Sequence, residues 1–354
     1  MTGHTLGVAI QGAGWVSTEH IRAYMHNPHT EVVAIGSRTK EGAARKAHDL
    51  GLDVAVYDSF EALLAQPGVD AVSLCTPPQR HSAETIEAAV AGKHILIEKP
   101  VATDQDELQR MHSAVQQAGV CTVVSFVLRW NPAVQNIKAL QAAGLLGAPF
   151  YVQTDYWHNL EQAGLAGKGG GVSAMLGGGC HAMDLARHLL DDDIVEVTAL
   201  GWSPKPVVSA ASTPSADHRG PANTVALVRF AGGAMGKVSA CTSQWMPYQF
   251  NIDLFGTGGV VRGDRFFSRQ LPGLTGLAEL PTVLPDSGDV AHHPFQQEID
   301  HFVECILGGH ESPVSLANAV NTHAACFAAD TSAAQGGRPI GVSLSAVVNK
   351  EPAR

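Results

Sequence analysis

The chain has 354 residues, 45% hydrophobic and 16% charged, which fits a folded protein of about two domains at roughly 100 to 200 residues each and excludes intrinsic disorder, collagen-like repeats and coiled coils. Lys and Arg number 23 against 33 Asp and Glu, and the net charge of −10 repels nucleic-acid phosphates and anionic membranes, so neither is an expected partner. The longest apolar runs, such as Leu6 to Ile10, are strand-sized and far short of the roughly 18 residues a membrane span requires.

In chain order, residues 1–125 alternate short apolar runs with amphipathic segments, and strands are predicted at Leu6–Gln11, Glu31–Gly36, Asp53–Tyr57, Ala71–Cys75, His94–Glu98 and Cys121–Phe126. That rhythm predicts a doubly wound α/β domain, a parallel sheet buried on both faces by crossover helices. Helix ends are expected at Ser17 or Thr18, at Ser82 with Gly92 behind it, and at Thr103 with Asp106 three residues on and Gly119 behind. From residue 126 to 354 the pattern changes to a second α/β domain, with a helix at Ala133–Ala143, a strand at Pro149–Trp157 and a helix from His181. Strands then follow at Val195–Trp202, Asn223–Phe230, Ala234–Thr242, Gln249–Phe255 and Gly259–Gly263. Turns at Gly232-Gly233 and Gly258-Gly259 predict a large, mostly antiparallel open sheet, closed in sequence by helices at Pro294–Leu307 and Leu316–Ala334. Residues 203–221 and 269–292, rich in Pro, Gly and Ser, are expected as long, mobile surface loops.

The first strand runs into Gly12-Ala13-Gly14-Trp15-Val16-Ser17 and then a helix. In a dinucleotide site the first Gly makes the tight turn, the second lets the backbone approach the pyrophosphate, and the helix start at Trp15 and Val16 supplies N–H donors and a positive dipole. Ser17 stands where a third Gly is usual, so the fingerprint carries weight through its place at the head of an alternating strand-helix domain. The second strand ends at Gly36-Ser37-Arg38-Thr39-Lys40 without the carboxylate that accepts from the ribose hydroxyls of NAD. Ser37 and Arg38 offer a hydroxyl and a guanidinium suited to a 2′-phosphate, so the expected cofactor is NAD(P), with NADP favoured over NAD.

Six cysteines lie far apart with no C-x-x-C pair, and no secretory leader is read, so reduced thiols in a cytoplasmic protein are expected. Among 17 histidines there is no H-E-x-x-H, and His181 and His188 lack a third ligand in sequence, so no metal is expected.

Thr76-Pro77, His81, Gly92-Lys93 and Glu98-Lys99-Pro100 occur in that order. Arg129-Trp130-Asn131-Pro132, Gly170-Gly171, Gly179-Cys180-His181-Ala182-Met183-Asp184, Phe255-Gly256-Thr257-Gly258-Gly259 and the HPFQQEIDHFVECI segment follow them. Together they resemble the Gfo/Idh/MocA oxidoreductases, which include glucose-fructose oxidoreductase and inositol dehydrogenase, over nearly the whole chain. The resemblance implies a Rossmann domain joined to an α/β domain whose open sheet mediates homodimers or homotetramers. It also implies NAD(P)-dependent oxidation or reduction of a sugar, cyclitol or related polyol. Thr76, Pro77, His81, Glu98 and Lys99 then join Gly12, Gly14, Trp15, Val16, Ser37 and Arg38 as cofactor-binding residues.

Lys99 follows the carboxyl end of a parallel strand, the sheet edge where α/β proteins bind ligands, and with Glu98 beside it can exchange a proton with a substrate hydroxyl while hydride moves to nicotinamide. The isomer of the Lys99-Pro100 bond is open at this point. His181 and Asp184 share a helix face, and His181 is the second acid-base candidate, with Asp184 supporting it. The family often has an aspartate four residues before this histidine, where this chain has Gly177. Arg129, Tyr156, His158, Lys168 and Asp184 are the candidate substrate-binding residues, since a polyol needs convergent donors and acceptors. Two alternatives remain open: a redox-assisted glycosidase or lyase in which bound NAD is regenerated, and a non-catalytic dinucleotide sensor.

Overall fold

The computed structural model describes residues 5–159, 171–204, 220–284 and 293–343, which divide into two compact units. The first holds the residues up to Val127 together with Pro294–Val320, and the second holds Leu128–His293 and the residues from Asn321. The division is therefore not contiguous in sequence: a C-terminal segment belongs to the N-terminal unit.

The first unit is built on six parallel strands, β1 (Leu6–Gln11), β2 (Thr30–Gly36), β3 (Ala55–Tyr57), β4 (Ala71–Leu74), β5 (His94–Ile97) and β6 (Thr122–Val124), in the order β3-β2-β1-β4-β5-β6. β1 and β4 are buried at every position, which is why their sequence is a continuous apolar run rather than an alternation. The helices are α1 (Trp15–His26), α2 (Lys40–Asp49), α3 (Phe60–Leu64), α4 (Pro78–Val90), α5 (Gln105–Ala118) and, from the C-terminal segment, α9 (Phe295–Gly308), which packs on α1. Strand order reverses between β1 and β4, the switch point at which doubly wound sheets bind ligands.

Three expected helix starts are corrected. α1 begins at Trp15 with Gly14 as N-cap, and Ser17 turns its hydroxyl back to donate to the Gly14 carbonyl at 2.7 Å. α4 begins four residues before Ser82, because Pro78 suits the first helical turn, where no N–H partner is needed. In α5 the cap is Asp104, which accepts from Glu107 N at 2.8 Å, while Thr103 donates its N–H and hydroxyl to the Glu107 carboxylate. This is a capping box shifted one residue from the expected register. Gly119 closes α5 in the left-handed conformation, φ 66°, as expected.

The second unit contains α6 (Pro132–Ala142), α7 (Ala174–Gly177), α8 (Gly179–Leu190) and most of α10 (Leu316–Ala334). Its sheet has nine strands: β7 (Pro149–Trp157), β8 (Ile194–Trp202), β9 (Asn223–Phe230), β10 (Met235–Cys241), β11 (Gln249–Gly256), β12 (Gly259–Arg262), β13 (Arg265–Ser268), β14 (Ala278–Glu279) and β15 (Ile340–Gly341). Their order is β14-β13-β12-β11-β7-β10-β9-β8-β15, antiparallel except for β7 with β10. β13, β14 and β15 were not expected, and β14 falls inside the stretch read as the loop 269–292. Of the two expected loops, 205–219 and 285–292 lie outside the described residues. β9 alternates buried and exposed positions, so one sheet face packs on α8 and the other is open. Among the described residues no helix is long and apolar enough to cross a membrane, and all six cysteines are free of disulfides.

Candidate active site

In the first unit, β1 delivers the chain to Gly12, whose φ is +120°, and a Cβ built there would lie 2.5 Å from Cys75 O and 3.2 Å from Thr76 N, just past the end of β4. Only glycine permits that approach of two backbones at the switch point. A Cβ on Gly14 would meet nothing within 4 Å, and no side chain caps α1, so the first-turn N–H groups face open space. This is the cradle a pyrophosphate needs, and the residues present fit a dinucleotide. Trp15 opens the helix with an exposed side chain and Val16 is half-buried.

Two groups around this turn escaped the sequence reading. Lys46 Nζ reaches from α2 to donate to Gly14 O at 2.8 Å and Thr18 Oγ1 at 2.7 Å, bringing a cation to the turn, and partial burial pushes its pKa down. Buried Glu84 of α4 accepts from Gln11 Nε2 at 2.9 Å, from Arg80 Nε at 2.9 Å and from the Thr76 hydroxyl, so it ties the ends of β1 and β4 together. Pro77 is exposed beside Thr76. His81 is fully buried, with Nδ1 2.9 Å from Pro100 O and Nε2 2.7 Å from Thr76 O, so it braces the two loops. Ser37 donates its hydroxyl to Thr39 O at 2.6 Å, and Arg38 is exposed.

β5 ends at Ile97 and presents Glu98 and Lys99 at the carboxyl edge of the sheet, and the Lys99–Pro100 bond is cis. Lys99 is half-buried. Glu98 is buried, with Oε1 3.1 Å from His20 Nε2 and Oε2 accepting from Lys99 N at 3.1 Å. Both oxygens are thus engaged by the protein, and Glu98 supports Lys99 from beneath. Burial pushes the Glu98 carboxyl up, but the His20 hydrogen bond and charge, then the Lys99 charge and the Ser125 hydroxyl, outweigh it and hold the group below its ordinary value.

In the second unit, Arg129 and Asp184 are given to each other: Nε donates to Oδ2 and Nη2 to Oδ1, both at 2.7 Å, with Asp184 fully buried. A bidentate buried pair of this kind braces α8 and takes Asp184 away from direct substrate contact. His181 is buried in the first turn of α8, its N–H donating to Gly178 O at 3.1 Å. A Cβ on Gly178 would collide with the Tyr156 ring, and one on Gly179 would lie 2.8 Å from Met175 Sδ, so both glycines are required by packing. Position 177 is different, since a Cβ there meets only Val172 Cγ2, at 3.2 Å. Tyr156, beside Gly178, is hydrogen-bonded through its hydroxyl to His158 Nδ1 at 3.0 Å, and both are buried against Tyr248. Lys168 lies outside the described residues. His188 is pushed down to about 4 by burial and the Arg129 charge, and among the described residues no group of three His, Cys, Asp or Glu is arranged to hold a metal ion.

Two family descriptions match the chain: "Oxidoreductase family, NAD-binding Rossmann fold" over residues 6–126 and "GFO/IDH/MocA C-terminal domain" over residues 134–262. Scyllo-inositol 2-dehydrogenase (NAD(+)) of Bacillus subtilis is 26% identical over 86% of this chain and 87% of its own. Inositol 2-dehydrogenase of Streptomyces avermitilis is 30% identical over 73% and 72%. A solved levoglucosan dehydrogenase in complex with NADH and L-sorbose superposes with a TM-score of 0.83 at 22% identity, covering 96% of this chain and 99% of that one, a likeness of fold. The expected preference for NADP gains no support from these relatives: the Bacillus subtilis name specifies NAD(+), and the solved levoglucosan dehydrogenase complex holds NADH.

Proposed function

The chain belongs to the GFO/IDH/MocA oxidoreductase family, and on that premise we propose that it is a cytoplasmic NAD-dependent dehydrogenase acting on a CH–OH group of a sugar or cyclitol, with Lys99 and His181 as its acid-base residues. The observation that carries this reading is Lys99 at the carboxyl edge of β5 with a buried carboxylate fixed against its own N–H. A nicotinamide dinucleotide held by Gly12, Gly14 and the start of α1 would supply the hydride acceptor. Lys99 takes the hydroxyl proton as the alcohol is oxidised, and the Glu98 charge beneath it stabilises the ammonium that forms. His181 is the second group to hold or pass that proton, kept in place by α8 and its Arg129–Asp184 brace. Tyr156 and His158 supply polar groups for substrate hydroxyls. The relatives' names favour inositols and anhydro-sugars as the substrate class, and nothing observed favours the glycosidase, lyase or sensor alternatives.

The open face of the second unit's sheet carries Leu200 paired with Val225, and Leu227, all more than half exposed. A stripe of this kind is what a second copy of the chain would cover, giving a homodimer or homotetramer. The function is tested by screening sugars and cyclitols with NAD and with NADP at the reduced-nicotinamide absorbance. Turnover with NAD on a cyclitol or sugar supports the reading. A strong preference for NADP would return Arg38 to the role first read for it.

A further inference from the structure

Behind Lys99 lies a buried cluster of which the mechanism above uses Glu98 alone. It holds two carboxyls, Glu98 and Glu298, of which Glu298 comes from α9 and is fully buried. Ser125, at the end of β6, stands between them: its hydroxyl is 2.9 Å from Glu298 Oε2 and is hydrogen-bonded to Glu98 as well. Glu298 Oε1 has no hydrogen-bond partner. On the other side of Glu98, His20 of α1 has Nε2 3.1 Å from Glu98 Oε1 and Nδ1 3.3 Å from Ser73 Oγ, which is 3.0 Å from the Tyr24 hydroxyl. An ionised carboxylate only accepts, so His20 Nε2 is the donor to Glu98; in the neutral imidazole Nδ1 then accepts from Ser73, and Ser73 from Tyr24. With His20 neutral, the three side chains point their protons in one direction, toward Glu98.

Two like charges this close in a dry interior do not both ionise. Burial and then the Glu98 charge push Glu298 well above the ordinary carboxyl range, whereas Glu98 is held below it despite its own burial. The asymmetry follows the hydrogen bonds: Glu98 receives His20 and the Lys99 N–H, whereas the two carboxyls share the single proton of Ser125, the one side chain hydrogen-bonded to Glu298. We propose that His20 is a positioning residue for Lys99, its donated hydrogen bond keeping Glu98 the charged member of the carboxyl pair, beside Lys99, and leaving Glu298 the neutral one. The titratable groups facing Glu98 are His20 from α1, Cys75 beyond β4, Lys99, and Glu298 from α9, and Tyr24 of α1 faces Cys75 and Glu298. His20 is the one that hydrogen-bonds Glu98 directly through its side chain. The proposal rests on Lys99 being the proton acceptor, and its test needs neither substrate nor cofactor.

The full-length protein is acetylated with limiting acetic anhydride between about pH 7 and 11, a range spanning lysine titration. Incorporation at Lys99 is read by peptide mass spectrometry against exposed Lys40. Removing the charge with Glu98→Gln is expected to raise Lys99 acetylation at fixed pH about three- to tenfold, because the adjacent carboxylate no longer favours the unreactive ammonium. His20→Leu is expected to do the same, and His20→Gln, which keeps a donor, to return the rate to within about twofold of wild type. The double variant His20→Leu/Glu98→Gln should exceed Glu98→Gln by nothing, because both act through one charge. Glu298→Gln should leave Lys99 acetylation as it is. If His20→Leu does not fold, His20→Asn, too short to reach Glu98, replaces it. Additive single effects, a His20→Leu protein labelled like wild type, or a Glu298→Gln protein that labels like Glu98→Gln each overturn the proposal. Normal turnover by Lys99→Met would overturn the role of Lys99 instead, a separate outcome.

Discussion

Replacing Arg129 by Met tests the buried brace of the second unit. Asp184 has no exposed surface, and Arg129 gives it two hydrogen bonds of 2.7 Å, leaving after removal the Thr322 hydroxyl at 3.4 Å. Two charge-assisted hydrogen bonds at about 1.5 to 3 kcal/mol each, lost from a carboxylate that stays buried, agree with the roughly 3 to 5 kcal/mol found when one partner of a buried ion pair is deleted. Urea unfolding followed by tryptophan fluorescence reads this directly, since four of the five tryptophans, Trp130, Trp157, Trp202 and Trp245, lie in the second unit. At a denaturant slope of about 2 to 3 kcal/mol per molar, the midpoint at neutral pH drops by about 1 to 2.5 M. Arg129→Met/Asp184→Leu, which leaves no orphaned charge, should recover more than half of the loss. A deficit below about 1 kcal/mol, the range of an exposed pair, or a double variant as unstable as the single one, refutes the assignment.

Three further outcomes follow from the geometry. Gly14→Val folds normally, since its Cβ meets no protein atom, but loses NAD binding by calorimetry, and unaltered affinity would place the cofactor elsewhere. Glu298 has a folded pKa raised by burial and by Glu98, so the stability it confers is present below the unfolded value and lost as pH rises. Glu298→Gln therefore melts with the wild type near about pH 4 and increasingly above it between about pH 5 and 8, and a difference in Tm that does not change with pH contradicts a neutral buried acid. Leu227→Asp on the open sheet face should lower the oligomeric state in sedimentation velocity while leaving circular dichroism unchanged, and a mass identical to wild type removes that face from the interface.

Features that depend on neighbours in sequence were legible there. The glycine turn after β1, the Glu98-Lys99 step at the end of β5, the hairpin turns at Gly232 and Gly258 and the whole of α10 are encoded locally, by φ requirements and apolar periodicity. Cap registers slipped because Ser17, Ser82 and Thr103 are plausible caps that lost to stronger local solutions: a capless glycine, a helix-starting proline and an aspartate one residue on. β13, β14 and β15 are two to four residues long, below the length at which alternation registers. Lys46, Glu84, His20 and Glu298 could not be read at all. Glu84 meets Gln11 across 73 residues, His20 meets Glu98 across 78, and Glu298 meets Ser125 across 173, contacts that exist only once the sheet is assembled and α9 has joined the first unit. Arg129 and Asp184 were read as substrate ligands because nothing in sequence reveals that two polar residues 55 apart satisfy each other.

The central claim is that Lys99 moves the substrate proton in an NAD-dependent alcohol oxidation. Steady-state formation of reduced nicotinamide by wild type and Lys99→Met, on whichever inositol or anhydro-sugar the screen returns, tests it most directly when paired with calorimetric NAD affinity. The account predicts a loss in kcat on the order of a hundredfold or more, the contribution of general acid-base catalysis, with NAD affinity within about threefold of wild type. Turnover by Lys99→Met close to that of the wild type would contradict it.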